Sequence, residues 1–221
     1  MRIVIAGGHG QVALLLEQLL VGRGDSVVGL VRDPAHVVDL EAVGAEAVVL
    51  DLEHSSYRDL APHLAGADAV VFAAGAGPGS GPDRKRTVDR DAAVLLADAA
   101  ESAGVRRYVM VSAIGVAERA DDETLDPVFR AYLRAKAEAD AELRGRSELD
   151  VTIVCPGQLT DEPATGEVSL GERVERGPIP RADVAAVLAG VLDRGVLAGR
   201  TLEVVSGDVE VDEALATFAA D

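Results

Sequence analysis

Short apolar runs recur along the chain at residues 3–6, 27–31, 47–50, 69–73, 108–111, 151–154 and 202–205. Each is rich in Val and Ile and apolar at successive positions, the pattern of parallel strands covered on both faces. Between them the apolar positions return every three or four residues. Residues 11–21 place Val12, Leu15, Leu16, Leu19 and Leu20 on one side. Residues 87–103 align Val88, Ala92, Leu95, Leu96, Ala99 and Ala100, and leave Asp89, Asp98 and Glu101 mostly off that stripe. Gly104 is placed to cap this helix. Pro127 opens another that runs to about Leu143, and a further one starts near Arg181. Strand, helix, strand in repetition predicts right-handed βαβ units and a doubly wound sheet. Two stretches break the rhythm, 75–82 and 157–180, and both follow strand ends. Ligands bind at that edge of an open α/β sheet, so 157–180 is expected to be an irregular loop region on the substrate side. No linker divides the chain, and residues 1–221 are read as one domain.

The first run leads directly into Gly7-Gly8-His9-Gly10-Gln11-Val12-Ala13. Gly7 permits a tight turn, Gly10 lets the backbone approach a pyrophosphate, and Ala13 is small enough for close packing of helix on strand. The helix start, Gln11 and Val12, offers free N–H groups to phosphate, and His9 lies within the loop. A glycine loop between a Val/Ile strand and an amphipathic helix marks a dinucleotide site. The fold class is therefore α/β, a Rossmann-type doubly wound, mainly parallel seven-stranded sheet flanked by helices, with a small C-terminal substrate region. Arg32 follows the second strand, where an acid would bond the ribose hydroxyls of NAD. An arginine there suits a 2′-phosphate, so NADP(H) is preferred and NAD(H) is the alternative. Asp51 and Leu52 end the third strand at the expected adenine edge. Asp51 either accepts from the adenine amino group or caps the following helix.

Composition narrows the choice of partners. The 221-residue chain carries a formal charge of -17. Phosphate backbones and anionic membrane surfaces need basic protein surfaces, so nucleic acid and membrane are excluded as expected partners. Bound anions must be held by local features instead. The single cysteine, Cys155, closes an apolar run and reads as a buried structural thiol. The four histidines, His9, His36, His54 and His63, show no metal-ligand spacing, and the last three read as surface residues. No run reaches the length of a membrane span, and a soluble, cytoplasmic monomer or small homo-oligomer acting on a small molecule is expected.

Tyr132-Leu133-Arg134-Ala135-Lys136 has the spacing that puts a phenol and an ammonium on one helix face. The ammonium is expected to lower the tyrosine pKa, so that Tyr132 exchanges a proton with a carbonyl or alcohol. Ser112, after the fifth run, would bond the substrate oxygen. Lys85 and Lys136 are the only lysines in the sequence. A reduced role for Lys136 is to bind the nicotinamide ribose alone.

Taken in order, Gly7-x-x-Gly10-x-x-Ala13, Leu30-Val31-Arg32-Asp33, Ala73-Ala74-Gly75, Val88-Asp89, residues 108–112, Tyr132-x-x-x-Lys136, residues 156–160 and residues 179–184 resemble the atypical short-chain dehydrogenases/reductases. The likeness is to the small NAD(P)H-binding, NmrA-like group, often labelled sugar epimerases, and covers nearly the whole chain. It implies NADP(H) on the glycine loop, backbone from Ala73 through Ala74 to Gly75 near the cofactor, and Pro156 and Gly157 beside the nicotinamide. Relatives of that kind reduce quinones, flavins or biliverdin, or bind dinucleotide without turning it over. The usual second serine beside Ser112 is Ala113 here. Three readings follow: an NADP(H)-binding oxidoreductase that reduces a small carbonyl, quinone or flavin; a non-catalytic redox sensor; and an epimerase-type isomerase.

Overall fold

The computed structural model describes residues 1–77, 79–194 and 197–219. Six parallel strands follow the first six apolar runs: β1 Arg2–Ala6, β2 Ser26–Val31, β3 Glu46–Val49, β4 Ala69–Phe72, β5 Arg107–Val111 and β6 Asp150–Pro156. The last run becomes β10, Thr201–Ser206, parallel to β6. The stretch expected to be an irregular loop instead holds β7 Gln158–Thr160, β8 Glu167–Gly171 and β9 Pro178–Pro180. β8 joins β10 antiparallel, and β11, Val209–Glu210, pairs with β8. The main sheet thus has nine strands rather than seven, in the order β11-β8-β10-β6-β5-β4-β1-β2-β3, and β7 with β9 forms a small separate ribbon. Near the sheet edge β8 fully buries only Val168, so it lacks the continuous apolar run by which the inner strands announce themselves.

Side chains alternate across the inner strands and feed two apolar layers. Ile3 and Ile5 of β1 face one layer, with α1 (Gln11–Gly22), α8 (Arg181–Asp193) and α9 (Val211–Ala219). Val4 and Ala6 face the other, with α3 (Tyr57–Leu64), α5 (Ala92–Ala103) and α7 (Pro127–Arg144). Shorter pieces connect them: a 3₁₀ turn at Pro34–His36 leads into α2 (Val37–Ala42), and α4 (Pro82–Arg84) and α6 (Val116–Arg119) follow β4 and β5. α7 starts at Pro127, as expected, with the Asp126 carboxylate accepting from the backbone N–H groups of Val128 and Phe129. Gly104 ends α5 at φ 73°, a left-handed conformation suited to glycine.

The helix expected over 87–103 departs from its pattern at the start. Lys85–Asp91 is a π-helical turn, and only from Ala92 does regular α-helix run. The wider turn rotates Asp89 inward, so the acid expected off the apolar stripe is fully buried. No helix among the described residues is long and apolar enough to cross a membrane.

Candidate functional site

β2 and β4 flank β1 on opposite sides, so the direction of winding reverses at β1 and a crevice opens outside the strand ends. Two cavities occupy it, of about 530 and 580 Å³, and both are lined by Gly10 and by Ala73, Ala74 and Gly75.

The first cavity is built on the glycine loop. Gly7 has φ 84°, and a Cβ there would lie 2.5 Å from Ala74 Cα, so loop and strand tip meet backbone to backbone. Gly10 precedes α1 with extended backbone; no side chain caps the helix, and its first turn carries no acid. That end therefore keeps its partial positive charge for an anion. Glu17, one turn further, lies under the loop. A Cβ on Gly8 would come within 2.8 Å of its Oε1, and one on Gly29 within 2.6 Å, so both glycines make room for this carboxyl. Among the described residues no donor reaches either oxygen of Glu17. Burial raises its pKa from 4.5 to about 8.

Gly7, His9, Arg32, Asp51 and Leu52 all line this cavity. The His9 ring stacks on His36 at 3.5 Å, and its Nε2 lies 2.8 Å from Asp39. His36, expected on the open surface, is thus half-buried and lines the cavity as well. Arg32 donates to Glu53 at 3.2 Å, and Arg84 donates to the same carboxylate oxygen at 3.1 Å. Two guanidinium groups therefore converge on one acid at the expected ribose end. Asp51 does not cap the following helix, the local role open to it: it accepts from the Glu53 backbone N–H and pairs with His54. Its hydrogen bonds close a turn ahead of α3, which has its own cap in Ser56.

Gln11, Val12, Ser112, Tyr132, Lys136 and Pro156 line the second cavity. Gly157 lines neither one. A Cβ on Gly157 would strike the Gly177 carbonyl at 2.2 Å, so close strand packing requires this glycine, where the family resemblance implied a place beside the nicotinamide. From 157–180 only Leu159 reaches the cavity, joined by Arg181 at the start of α8.

The expected catalytic set comes together with different wiring. Lys136 is buried and donates to the Val111 carbonyl at 2.9 Å, with Asp89 Oδ1 at 3.8 Å. Burial lowers the Lys136 pKa and raises that of Asp89, against the partial compensation each gives the other. The Ser112 hydroxyl donates to Asp140 at 2.7 Å instead of being free for a substrate oxygen. Burial and the Asp89 and Asp140 carboxylates raise the Tyr132 pKa, contrary to the lowering expected from Lys136. The ammonium is turned to a carbonyl and an acid, while two acids face the phenol. Tyr132 therefore keeps its proton across the neutral range. Cys155 is a buried free thiol, pushed up to about 12 chiefly by burial.

Asp140 and Arg84 escaped the reading of the sequence, and Asp89 and Lys85 were noted there without a place in the site. Asp140 continues the four-residue spacing of Tyr132 and Lys136 along α7. Its pKa is raised to about 6 by burial. The run Arg84-Lys85-Arg86 was a usable signal, because three successive cations are conspicuous in so acidic a chain.

This geometry agrees with the chain's relatives. The family described as NAD(P)H-binding matches residues 7–195. The Bacillus subtilis protein named "Uncharacterized sugar epimerase YhfK" is 38% identical over 97% of this chain and 99% of its own length. A solved structure from Bacillus halodurans, named "Putative NAD-dependent epimerase/dehydratase", superposes with a TM-score of 0.89 at 36% identity, covering 98% of this chain and 99% of that one. The oxidoreductase ylbE from Lactococcus lactis gives a TM-score of 0.87 at 28% identity, over 100% and 98% of the two chains. With its glycine loop, its crevice at the reversal of winding and a family match over most of its length, the chain belongs to the NAD(P)H-binding family.

Proposed function

We propose that this protein is an NADPH-dependent reductase of a small conjugated carbonyl, quinone or flavin. The observation that carries the reading is the pair of cavities joined at Ala73, Ala74 and Gly75. One suits the adenosine and phosphates; the other suits a nicotinamide with a substrate beside it. The cradle at Gly7, which a Cβ would fill, and the uncapped start of α1 fit a pyrophosphate. Arg32 and Arg84 would share a 2′-phosphate, the basis for preferring NADP(H) to NAD(H). Lys136, which lines the second cavity, would serve the nicotinamide ribose in this reading.

When bound, NADPH would supply a hydride to the electrophilic atom of the substrate. With a simple carbonyl, Tyr132 then gives its phenolic proton to the substrate oxygen, which as an alkoxide is a stronger base than a phenolate; a reduced quinone is itself a phenolate and a flavin is reduced at nitrogen, so these take their proton from solvent. The net change is the addition of one hydride and one proton, and the phenol is reprotonated from solvent. A high phenol pKa suits this direction, because Tyr132 holds its proton until the oxygen becomes basic. Asp140 anchors Ser112, which shapes the cavity wall. The name oxidoreductase carried by the Lactococcus relative points the same way. The sugar-epimerase name of the Bacillus relative favours a second reading, an isomerase that retains its cofactor.

The test follows absorbance at the nicotinamide band, with purified protein, NADPH or NADH, and quinone or flavin acceptors. Consumption of NADPH with a clear preference over NADH supports the reductase. Tight binding without consumption transfers the weight to the isomerase or to a redox sensor.

A further inference from the structure

Both lysines of the chain line the second cavity. Lys136 is committed to Val111 and Asp89. Lys85 is not committed in that way. Its amine donates to the Gly77 carbonyl at 2.8 Å, stands 5.5 Å above the Tyr132 ring, and makes no ion pair among the described residues. Arg181 faces the same space, and its one ion pair among the described residues is with Asp161, whose side chain is 77% exposed. Exposed pairs of that kind exchange readily for a better partner. The cavity's acids are already engaged: Asp89 receives the Ala76 N–H and faces Lys136, and Asp126 caps α7. A protein with a net charge of -17 thus places at this mouth an ammonium with no ion pair among the described residues, its field reaching Asp89 at longer range, and a guanidinium held only by an exposed acid.

The same mouth is apolar and flat. Phe129, 41% exposed, stacks beside Tyr132 with ring centroids 5.9 Å apart, and Leu159 is exposed alongside. Leaving an exposed phenyl ring and an exposed leucine on one cavity rim costs contact with water, which a planar apolar ligand would remove.

We infer that Lys85 and Arg181 form an anion subsite for a carboxylate or sulfonate borne by a planar conjugated substrate that lies on Phe129 and Tyr132. The inference deepens the reductase reading and rests on it for the identity of the site. Lys85, at the start of the π turn, holds the anion; Arg181 leaves Asp161 to share it. The rings set the plane of the substrate, and Lys136 stays committed to Val111 and Asp89.

The experiment uses the full chain loaded with NADP⁺, titrated calorimetrically at low ionic strength with 1,4-naphthoquinone-2-sulfonate and with unsubstituted 1,4-naphthoquinone. The sulfonate should bind about tenfold tighter, the effect of one or two charge-assisted hydrogen bonds. Lys85→Gln should bring the two affinities close together, and Lys85→Arg should restore the gap. Asp161→Asn, which frees Arg181, should widen it. Equal affinities in the parent protein overturn the subsite, as does a Lys85→Gln variant that weakens both quinones alike or weakens NADP⁺ itself. NADPH turnover with each quinone is read separately. A charge preference in binding without turnover removes the reductase reading and keeps the subsite, and turnover without the preference does the reverse.

Discussion

The two cavities that meet at Ala73–Gly75 are made of different material. The side proposed for adenosine is mostly main chain: a glycine at positive φ, a helix start without a cap, strand tips, and side chains such as the exposed Arg32 and the half-buried Asp51. The side proposed for nicotinamide rests on buried side chains whose charges oppose one another, with Asp89, Lys136 and Asp140 out of water around a half-buried phenol. Backbone sites depend on shape and tolerate changes in solvent. Desolvated side-chain sites depend on charge balance, so one altered group changes the protonation of its neighbours.

The comparison can be broken from below. Among the described residues, Glu17 is the one buried acid on that side without a hydrogen-bond donor, under the loop rather than in it. Its folded-state pKa of about 8 lies above its ordinary value of 4.5. Glu17's own contribution to folding is therefore most favourable below about pH 4.5 and is lost as pH rises to about 8. Glu17→Gln removes the dependence. In urea unfolding, the variant should gain on the parent by about 4 kcal/mol between those two pH values. A difference that stays flat with pH would mean that the carboxyl has found a donor, and the loop would then have no electrostatic weak point.

A second substitution sharpens the contrast on the other side. With a simple carbonyl substrate, Tyr132→Phe should lower kcat by about 100-fold while leaving NADPH affinity near that of the parent, because general acid catalysis is worth that much. Loss of affinity instead would make Tyr132 a wall of the cofactor site. The smallest effect belongs to the strand tip. Arg32→Ala should raise the Kd for NADPH about tenfold and leave NADH nearly unchanged, since Arg84 still faces any 2′-phosphate. An equal change for both nucleotides would remove Arg32 from the discrimination.

The same division explains what could be read from the sequence. Gly7, Gly10 and Ala13 announce themselves, because backbone closeness demands small residues at fixed spacing. The parallel strands do so too, because burial on both faces demands unbroken apolar runs. β8 and β11 did not, since strands at the sheet edge are covered less completely and β11 is only two residues long. Asp89 was misplaced because a 3.6-residue period assumes an even helix, and the π turn shifts everything before Ala92. The spacing of Tyr132 and Lys136 put both on one helix face, and both line one cavity, yet it misjudged the sign of the tyrosine shift. That sign depends on Asp89 and Asp140, which spacing within one helix does not bring into view.

The π turn at Lys85–Asp91 has one more consequence, concerning phase. An α-helix advances about 100° per residue, so a wide turn acts as a fixed angular offset between the segments on either side. Here the offset lets α5 keep Ala92, Leu96 and Ala100 in the core while Lys85 stands over Tyr132 and Asp89 points at Lys136. A chain shortened by one residue inside the turn would keep its core contacts and swing Lys85 out of phase with the tyrosine. Length variation at this one place could retune what the crevice accepts while the sheet beneath stays as it is.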